Sequence, residues 1–139
     1  MTPPTLHLTN WASRKLHGPG RRLTIMAAPR RWEHGDGAVP DLTPRLHDLR
    51  AVRSGAITFD EYRGRFLAST RGPLAPWGGG SGDGLRTLGG LFVRDGDTLL
   101  CACSCAAAAA NQCHRVWAAD LLTGAGWRVI LDGKGLQNP

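Results

Sequence analysis

Hydrophobic and polar positions recur with two different periods along this chain, and the switches between them mark its elements. Residues 5–9 (Thr-Leu-His-Leu-Thr) carry a leucine at every second position, the period of a half-buried strand. Asn10 follows with a side chain able to cap a short helix over 11–16, which Gly18-Pro19-Gly20 ends. Residues 22–28 read as a second strand stopped by Pro29, and 30–40 as a polar loop holding Trp32 and His34. Thr43-Pro44 offers a cap followed by proline at the first helical position. Leu46, Leu49 and Val52 then recur at helical spacing, and Ser54-Gly55 closes that helix. Residues 58–61 (Thr-Phe-Asp-Glu) form a capping box, opening a second helix with Tyr62, Phe66 and Leu67 on its inward face.

The second half begins with a stretch over 72–84 rich in glycine and proline and containing Trp77, which reads as a mobile loop within one domain. It lacks the lysine before serine or threonine that a phosphate-binding loop needs. A short helix is expected over 85–93, closed at Asp95-Gly96. Residues 98–103 form an apolar strand, 115–122 a helix with Val116, Ala119 and Leu122 inward and Gly124 at its end, and 127–131 a last strand. Strand, helix and strand in that order form a right-handed crossover, so the two strands should run parallel. Their continuous apolar runs suit strands covered on both faces. The strand over 98–103 should therefore be central, with Leu99, Cys101, Val129 and Leu131 buried. The expected architecture is α/β: a small single-domain, mostly parallel sheet flanked by helices, occupying 1–139 as one unit.

Charge adds an asymmetry. Residues 1–31 hold Arg14, Lys15, Arg21, Arg22, Arg30 and Arg31 and no acid, which equals the whole net charge of +6. A basic face attracts nucleic acid or phosphorylated small molecules, although a solvated face on an arginine-rich protein explains it more plainly. No apolar run approaches the ~20 residues of a membrane span. Nor does the start of the chain show a charged-then-apolar leader. The expected location is the cytoplasm, with no membrane partner, and the oligomeric state stays open. In that compartment thiols stay reduced.

Reduced thiols matter because all four cysteines fall within thirteen residues: Cys101, Cys103, Cys105 and Cys113, with His114 and Arg115 directly after. Alternation along a strand puts Cys101, Cys103 and Cys105 on one face. Cys113 stands at a helix start, where free N–H groups and the macrodipole favour an anion, beside an imidazole and a guanidinium. Three readings compete. In the first, Cys113 is a nucleophile of lowered pKa, with His114 and Arg115 completing a catalytic set, or the helix start cradles a ligand's phosphate. In the second, Cys103, Cys105, Cys113 and His114 bind a metal, although Cys-x-Cys on a strand is a poor zinc knuckle. In the third, the cysteines simply pack, as Cys101 inside a strand would. No zinc is expected to be needed for folding, and no cofactor is implied. Arg30, Arg31, Trp32, Cys103 and Asn10 form the expected ligand-binding set. His7 and His47 are expected to be hydrogen-bonded structural residues, and Trp11, Trp32 and Trp77 to pack.

Taken in order, several of these segments resemble the family called domain of unknown function 488, which includes the YeaO-like proteins. The matching pieces are 8–12 (Leu-Thr-Asn-Trp-Ala) with Lys15-Leu16, and 23–27 (Leu-Thr-Ile-Met-Ala) running into 29–32 (Pro-Arg-Arg-Trp). Then come 57–62 (Ile-Thr-Phe-Asp-Glu-Tyr) with Arg65-Phe66, and 98–101 (Thr-Leu-Leu-Cys). The last are 113–115 (Cys-His-Arg) and 118–122 (Ala-Ala-Asp-Leu-Leu). The resemblance spans most of the chain, and Cys113-His114-Arg115 is its most specific element. It implies a small single-domain α/β fold and no settled activity. It also implies a strand ending in Cys-x-Glu or Cys-x-Cys before the Cys-His-Arg, which falls here on Cys101 and Cys103. This chain departs by inserting 104–112, with Cys105 and the alanine run. The YeaO-like branch commonly lacks these cysteines, which argues against an indispensable metal. The resulting expectation is an enzyme that binds or modifies a phosphorylated ligand, a nucleotide or nucleic acid, at the Cys-His-Arg helix start. The alternative is a non-catalytic basic protein that binds nucleic acid or an acidic protein partner.

Overall fold

In a computed structural model, which describes residues 3–70, 74, 76, 85, 87 and 92–136, the chain builds one six-stranded sheet with helices packed on it. The strands are β1 (Thr5–Asn10), β2 (Arg22–Thr24), β3 (Gly37–Ala38), β4 (Thr98–Cys101), β5 (Arg128–Leu131) and β6 (Lys134–Leu136). Their spatial order is β3-β2-β4-β1-β5-β6, and every neighbouring pair is parallel except β5 with β6. The expected mostly parallel α/β sheet is therefore present, with β4 inside it and buried along its whole length. β4 and β5 run parallel, as expected, each paired to β1 between them.

The helices are α1 (Leu46–Arg53), α2 (Phe59–Ser69), the single turn α3 (Cys105–Ala109) and α4 (His114–Gly124). α4 packs on β1 and β5, α2 on α4, and α1 on α2. The register explains the core. Leu8, Leu23 and Leu99 pair across β1, β2 and β4, and Leu6 pairs with Val129. All five are buried, together with Tyr62, Phe66, Trp117 and Leu122 from the helices. The opposite face carries Thr9, Thr24, Thr98 and Leu100, also buried. There Gly18 N donates to Thr98 Oγ1 at 2.7 Å, so the 17–20 loop lies against the sheet. Of the four positions expected to be buried, Leu99, Cys101 and Val129 are, and Leu131 is half-buried at the strand's end.

Several boundaries differ for local reasons. The helix expected over 11–16 is only a 3-10 turn, Arg14–Leu16, because Trp11 N donates to Cys101 O and ties the chain to β4. Asn10 still caps, accepting from Ser13 N at 2.8 Å. β2 ends at Thr24 because the N–H of Met26 turns to Thr24 Oγ1 rather than to a neighbouring strand. Residues 30–40 are not all loop. They hold a 3-10 turn, Arg31–Glu33, and the short β3. Thr43 does not cap α1. Its hydroxyl donates to Val39 O at 2.7 Å and its N–H closes the turn at Pro40, so the helix starts at Leu46, after a cap at Arg45. The Thr58 capping box forms as read, but Leu67 is exposed while Tyr62 and Phe66 are buried. The loop with Trp77 and most of the helix expected over 85–93 lie outside the described residues.

Candidate functional site

The C-terminal ends of parallel strands are where an open α/β sheet holds its ligands. Here those ends gather β1, β2, β4 and β5, together with α4's first turn. β4 delivers Cys101, and the chain leaving it delivers Cys103. Ser104 then caps α3, its hydroxyl accepting from Ala107 N at 3.1 Å. The alanine run is thus a single helical turn. Asn111 ends it in a left-handed conformation (φ 60°) that asparagine tolerates, and accepts from Trp117 Nε1 at 2.8 Å. This detour brings Cys113 back to β4.

The result is a cluster of three thiols. The sulfurs of Cys101, Cys103 and Cys113 all lie within 4.8 Å of one another, and those of Cys101 and Cys113 are 3.3 Å apart. Cys101 and Cys113 are buried, while Cys103 is half-buried. Beneath them lies Arg115, with none of its surface exposed. Its Nη1 donates to Cys101 Sγ at 3.1 Å, to Cys103 O at 2.7 Å and to Cys113 Sγ at 3.6 Å. Its Nη2 donates to Ser104 O at 3.2 Å and to Asp132 Oδ2 at 3.0 Å. A buried guanidinium requires a counter-charge. Asp132 supplies it, itself held by Thr9 Oγ1 at 2.8 Å.

Asp132 was missed by the sequence reading although its signal was present. Asp132-Gly133, both with positive φ (48° and 81°), is the two-residue hairpin turn between β5 and β6. That dipeptide predicts the hairpin, and the hairpin places the carboxylate at the sheet end beside β1.

A cavity of about 150 Å³ opens beside the cluster. Cys101, Cys103 and His114 form one wall. The others are largely apolar: Met26 and Ala27 after β2, Pro44, Leu49 and Val52 around α1, Phe59 and Tyr62 on α2. Arg53 is the cation in the lining. Tyr62 packs edge-on against Trp117, with centroids 5.4 Å apart, and its buried hydroxyl has no hydrogen-bond partner among the described residues. Burial first, and then the neighbouring Cys113 and Cys103, push its pKa up, so it stays a proton donor.

Protonation sorts the thiols differently from the sequence reading, which placed the thiolate at Cys113. Hydrogen bonding from Cys101 and then Cys113 holds the Cys103 thiol well below the usual thiol range, and Arg115 adds positive potential. Cys113 is pushed up, by its hydrogen bonds to Cys101 and Cys103 and by burial. Cys101 is also raised, chiefly by its bond to Cys103. These directions favour the cluster's first charge on Cys103, the sulfur of the three with most access to solvent, and protons on the two buried thiols. Placement at a helix start does not decide the matter, because Cys113 caps α4 with backbone alone.

His114 is also not poised for acid–base work. Its Nε2–H donates to Ile25 O at 2.7 Å, and burial pushes its pKa down to about 4. It is neutral near pH 7 and anchors the end of β2 to α4.

Of the expected ligand-binding set, Cys103 alone lines the cavity. Asn10 turns to the other side, its Nδ2 3.7 Å from Cys105 Sγ. Arg30 Nε lies 3.8 Å from Glu33, and Trp32, 62% exposed, stands edge-on to Trp11 with centroids 6.4 Å apart. Arg30, Arg31 and Trp32 do not line the cavity. The metal set read from sequence is not assembled either. Cys105 is exposed beside Asn10 and Ser13, and His114 Nε2 is engaged by Ile25. Among the described residues, Cys101, Cys103 and Cys113 form the group whose spacing a soft ion could bridge.

No family model, curated protein or solved structure matches the chain. Among the described residues no helix is long and apolar enough to cross a membrane. The site's own geometry is therefore what bears on function.

Proposed function

We propose that this protein is a thiol-dependent enzyme whose nucleophile is Cys103, acting on a small, largely apolar ligand with an electrophilic centre. The observation that carries the reading is the opening of a three-thiol cluster into a mostly apolar cavity through Cys103, its least buried member and the one whose pKa is lowered. A thiolate is the reactive form of cysteine, and its reactivity requires both a lowered pKa and access. Cys103 has both; Cys101 touches the cavity but is buried with a raised pKa, and Cys113 has neither. Arg115 is a positioning residue, fixing the Cys103 carbonyl while it neutralises the cluster from below. Tyr62 supplies a free hydroxyl to hydrogen-bond a polar atom of the ligand.

A phosphorylated ligand, the class suggested by the basic composition, has less support at this site. The Arg115 guanidinium is committed to internal bonds, which leaves Arg53 as the cation lining the cavity to meet a phosphate. Membership of the family that the chain resembles is part of the same proposal, because the residues that carry the likeness build the cluster.

The test uses Cys105, the exposed thiol, as an internal reference. A phenyl-substituted haloacetamide should favour Cys103 over Cys105 by about tenfold more than plain iodoacetamide does, since burying a ring is worth at least that factor. An unchanged ratio between the two reagents would sink the apolar-ligand reading.

A second reading keeps one observation of its own. Trp32 stands exposed between Arg31 and Glu33 at the rim of the basic first third, and Arg22 lies 5.9 Å from the Trp11 ring. An exposed tryptophan beside arginines suits stacking on bases of single-stranded nucleic acid. Quenching of tryptophan emission by an oligonucleotide, weakened by salt and lost in Trp32→Ala, is what it requires.

A further inference from the structure

We propose that the two buried thiols form a resolving pair, and that the cluster reduces organic hydroperoxides through Cys103 while storing the oxidation as a Cys101–Cys113 disulfide. This rests on the reading of Cys103 as nucleophile and names its substrate class. A lone nucleophilic cysteine needs one neighbour at most. Here two more thiols stand within 4.8 Å, and they approach each other to 3.3 Å in a buried site. A disulfide requires about 2.05 Å between sulfurs, so a small sidechain movement closes the bond.

The steps balance as follows. The Cys103 thiolate attacks the terminal oxygen of R–O–O–H. An S–O bond forms, the O–O bond breaks, and RO⁻ leaves, taking a proton from solvent to become the alcohol. Sulfur is oxidised by two electrons to the sulfenic acid and the peroxide is reduced by two. Tyr62 lines the same cavity and its hydroxyl has no partner among the described residues, so it is the group we assign to hydrogen-bond the departing oxygen. Cys113 then attacks the Cys103 sulfur, forming an S–S bond and expelling hydroxide, which leaves as water with the Cys113 proton. Cys101 attacks Cys113 in turn, releases Cys103 as thiolate and gives its own proton to solvent. The sum is R–O–O–H plus two thiols giving R–O–H, water and one disulfide. An external dithiol, as reductant, reopens the disulfide by exchange.

Arg115 gives the sequence its order. While Cys103 carries the charge, its neighbours are held protonated. Once Cys103 is a sulfenic acid that charge is gone, and the same guanidinium, 3.1 Å from Cys101 Sγ and 3.6 Å from Cys113 Sγ, favours their thiolates. The apolar walls select the substrate. Leu49, Val52 and Phe59 suit an alkyl or aryl group rather than hydrogen peroxide.

The experiment treats the reduced full-length protein with one equivalent of cumene hydroperoxide, blocks free thiols and maps them by mass. A parallel sample, not oxidised, is labelled with iodoacetamide. The expected product is a Cys101–Cys113 disulfide with Cys103 free, formed at least about tenfold faster than with hydrogen peroxide, as burial of a hydrocarbon group supplies. In the double variant Cys101→Ser, Cys113→Ser the relay should stop at Cys103, seen as a dimedone adduct of its sulfenic acid. Cys103→Ser should form no disulfide at this dose. Iodoacetamide labelling at Cys103 without any Cys101–Cys113 disulfide would overturn the relay and leave the nucleophile standing. Failure of Cys103 to label would overturn both. Cys103 sulfinic acid as the main product of the wild-type protein, or disulfides through Cys105, would also overturn the relay.

Discussion

His114 and Arg115 show that two neighbouring polar residues at one helix start can serve the fold in opposite ways. His114 is buried as a neutral group, so the folded chain takes its proton only at a lower pH than the unfolded chain does. Its folded pKa of about 4 lies below its ordinary 6.5. The unfolded chain therefore binds a proton that the folded chain refuses between these values. The stability this group contributes is present in full above pH 6.5 and is lost as pH falls toward 4, by about 3 kcal/mol. His7, lowered chiefly by burial, acts in the same direction. Denaturant titrations at pH 7 and pH 4.5 should show a smaller difference for His114→Gln, whose amide can keep the bond to Ile25. An unchanged difference would mean that His114 is protonated in the folded protein. Arg115 is charged and wholly buried, so its counter-charge matters more. Asp132→Asn suits the positive φ and retains an acceptor for Thr9, yet removes the carboxylate paired with the guanidinium. It should cost about 3 kcal/mol, the range for breaking one side of a buried pair, read as a shift in urea midpoint. A cost under about 1 kcal/mol would place the pair among solvent-screened surface bridges.

At the scale of elements, α2 is where local sequence speaks most clearly. Thr58 Oγ1 accepts from Glu61 N at 3.1 Å and Glu61 Oε1 accepts from Thr58 N at 3.3 Å. Thr58→Ala should cost about 1 kcal/mol, measured by thermal or chemical unfolding, without changing Cys103 labelling beyond what loosening of Tyr62 produces. The strand β1 and the apolar runs of β4 and β5 were legible because they are local patterns. Thr43 was misread because its hydroxyl serves the turn before it, a choice made by Val39 in three dimensions. The alanine run carries no period, and only Ser104 and Asn111 mark its ends. The candidate site was legible as a region, since all its sulfurs lie within thirteen residues. Its internal order was not. Which thiol opens to the cavity depends on how the chain turns after Cys101, and on a tyrosine from α2 and an aspartate from the β5–β6 turn that lie far away in sequence.

For the whole molecule, a six-stranded sheet with helices packed on it buries one hydrophobic core, from which we predict that folding needs no ion. Chelator treatment of the purified protein should leave the thermal midpoint within about 1 °C, under the roughly 3–4 °C that 1 kcal/mol gives a domain of this size. A large drop with stoichiometric zinc released would make the three sulfurs a structural metal centre instead of a reactive one. The central claim, that Cys103 is the thiolate of the cluster, is tested most directly by its alkylation rate against pH. Native protein is labelled with iodoacetamide from pH 5 to pH 9 and each cysteine is quantified by mass mapping. The account predicts that at pH 6 Cys103 alone is labelled, with a rate already at its plateau, while Cys105 follows the ordinary thiol midpoint near ~8.5 and Cys101 and Cys113 stay protected. A Cys103 rate that climbs with that same ordinary midpoint, or first labelling at Cys113, would contradict it.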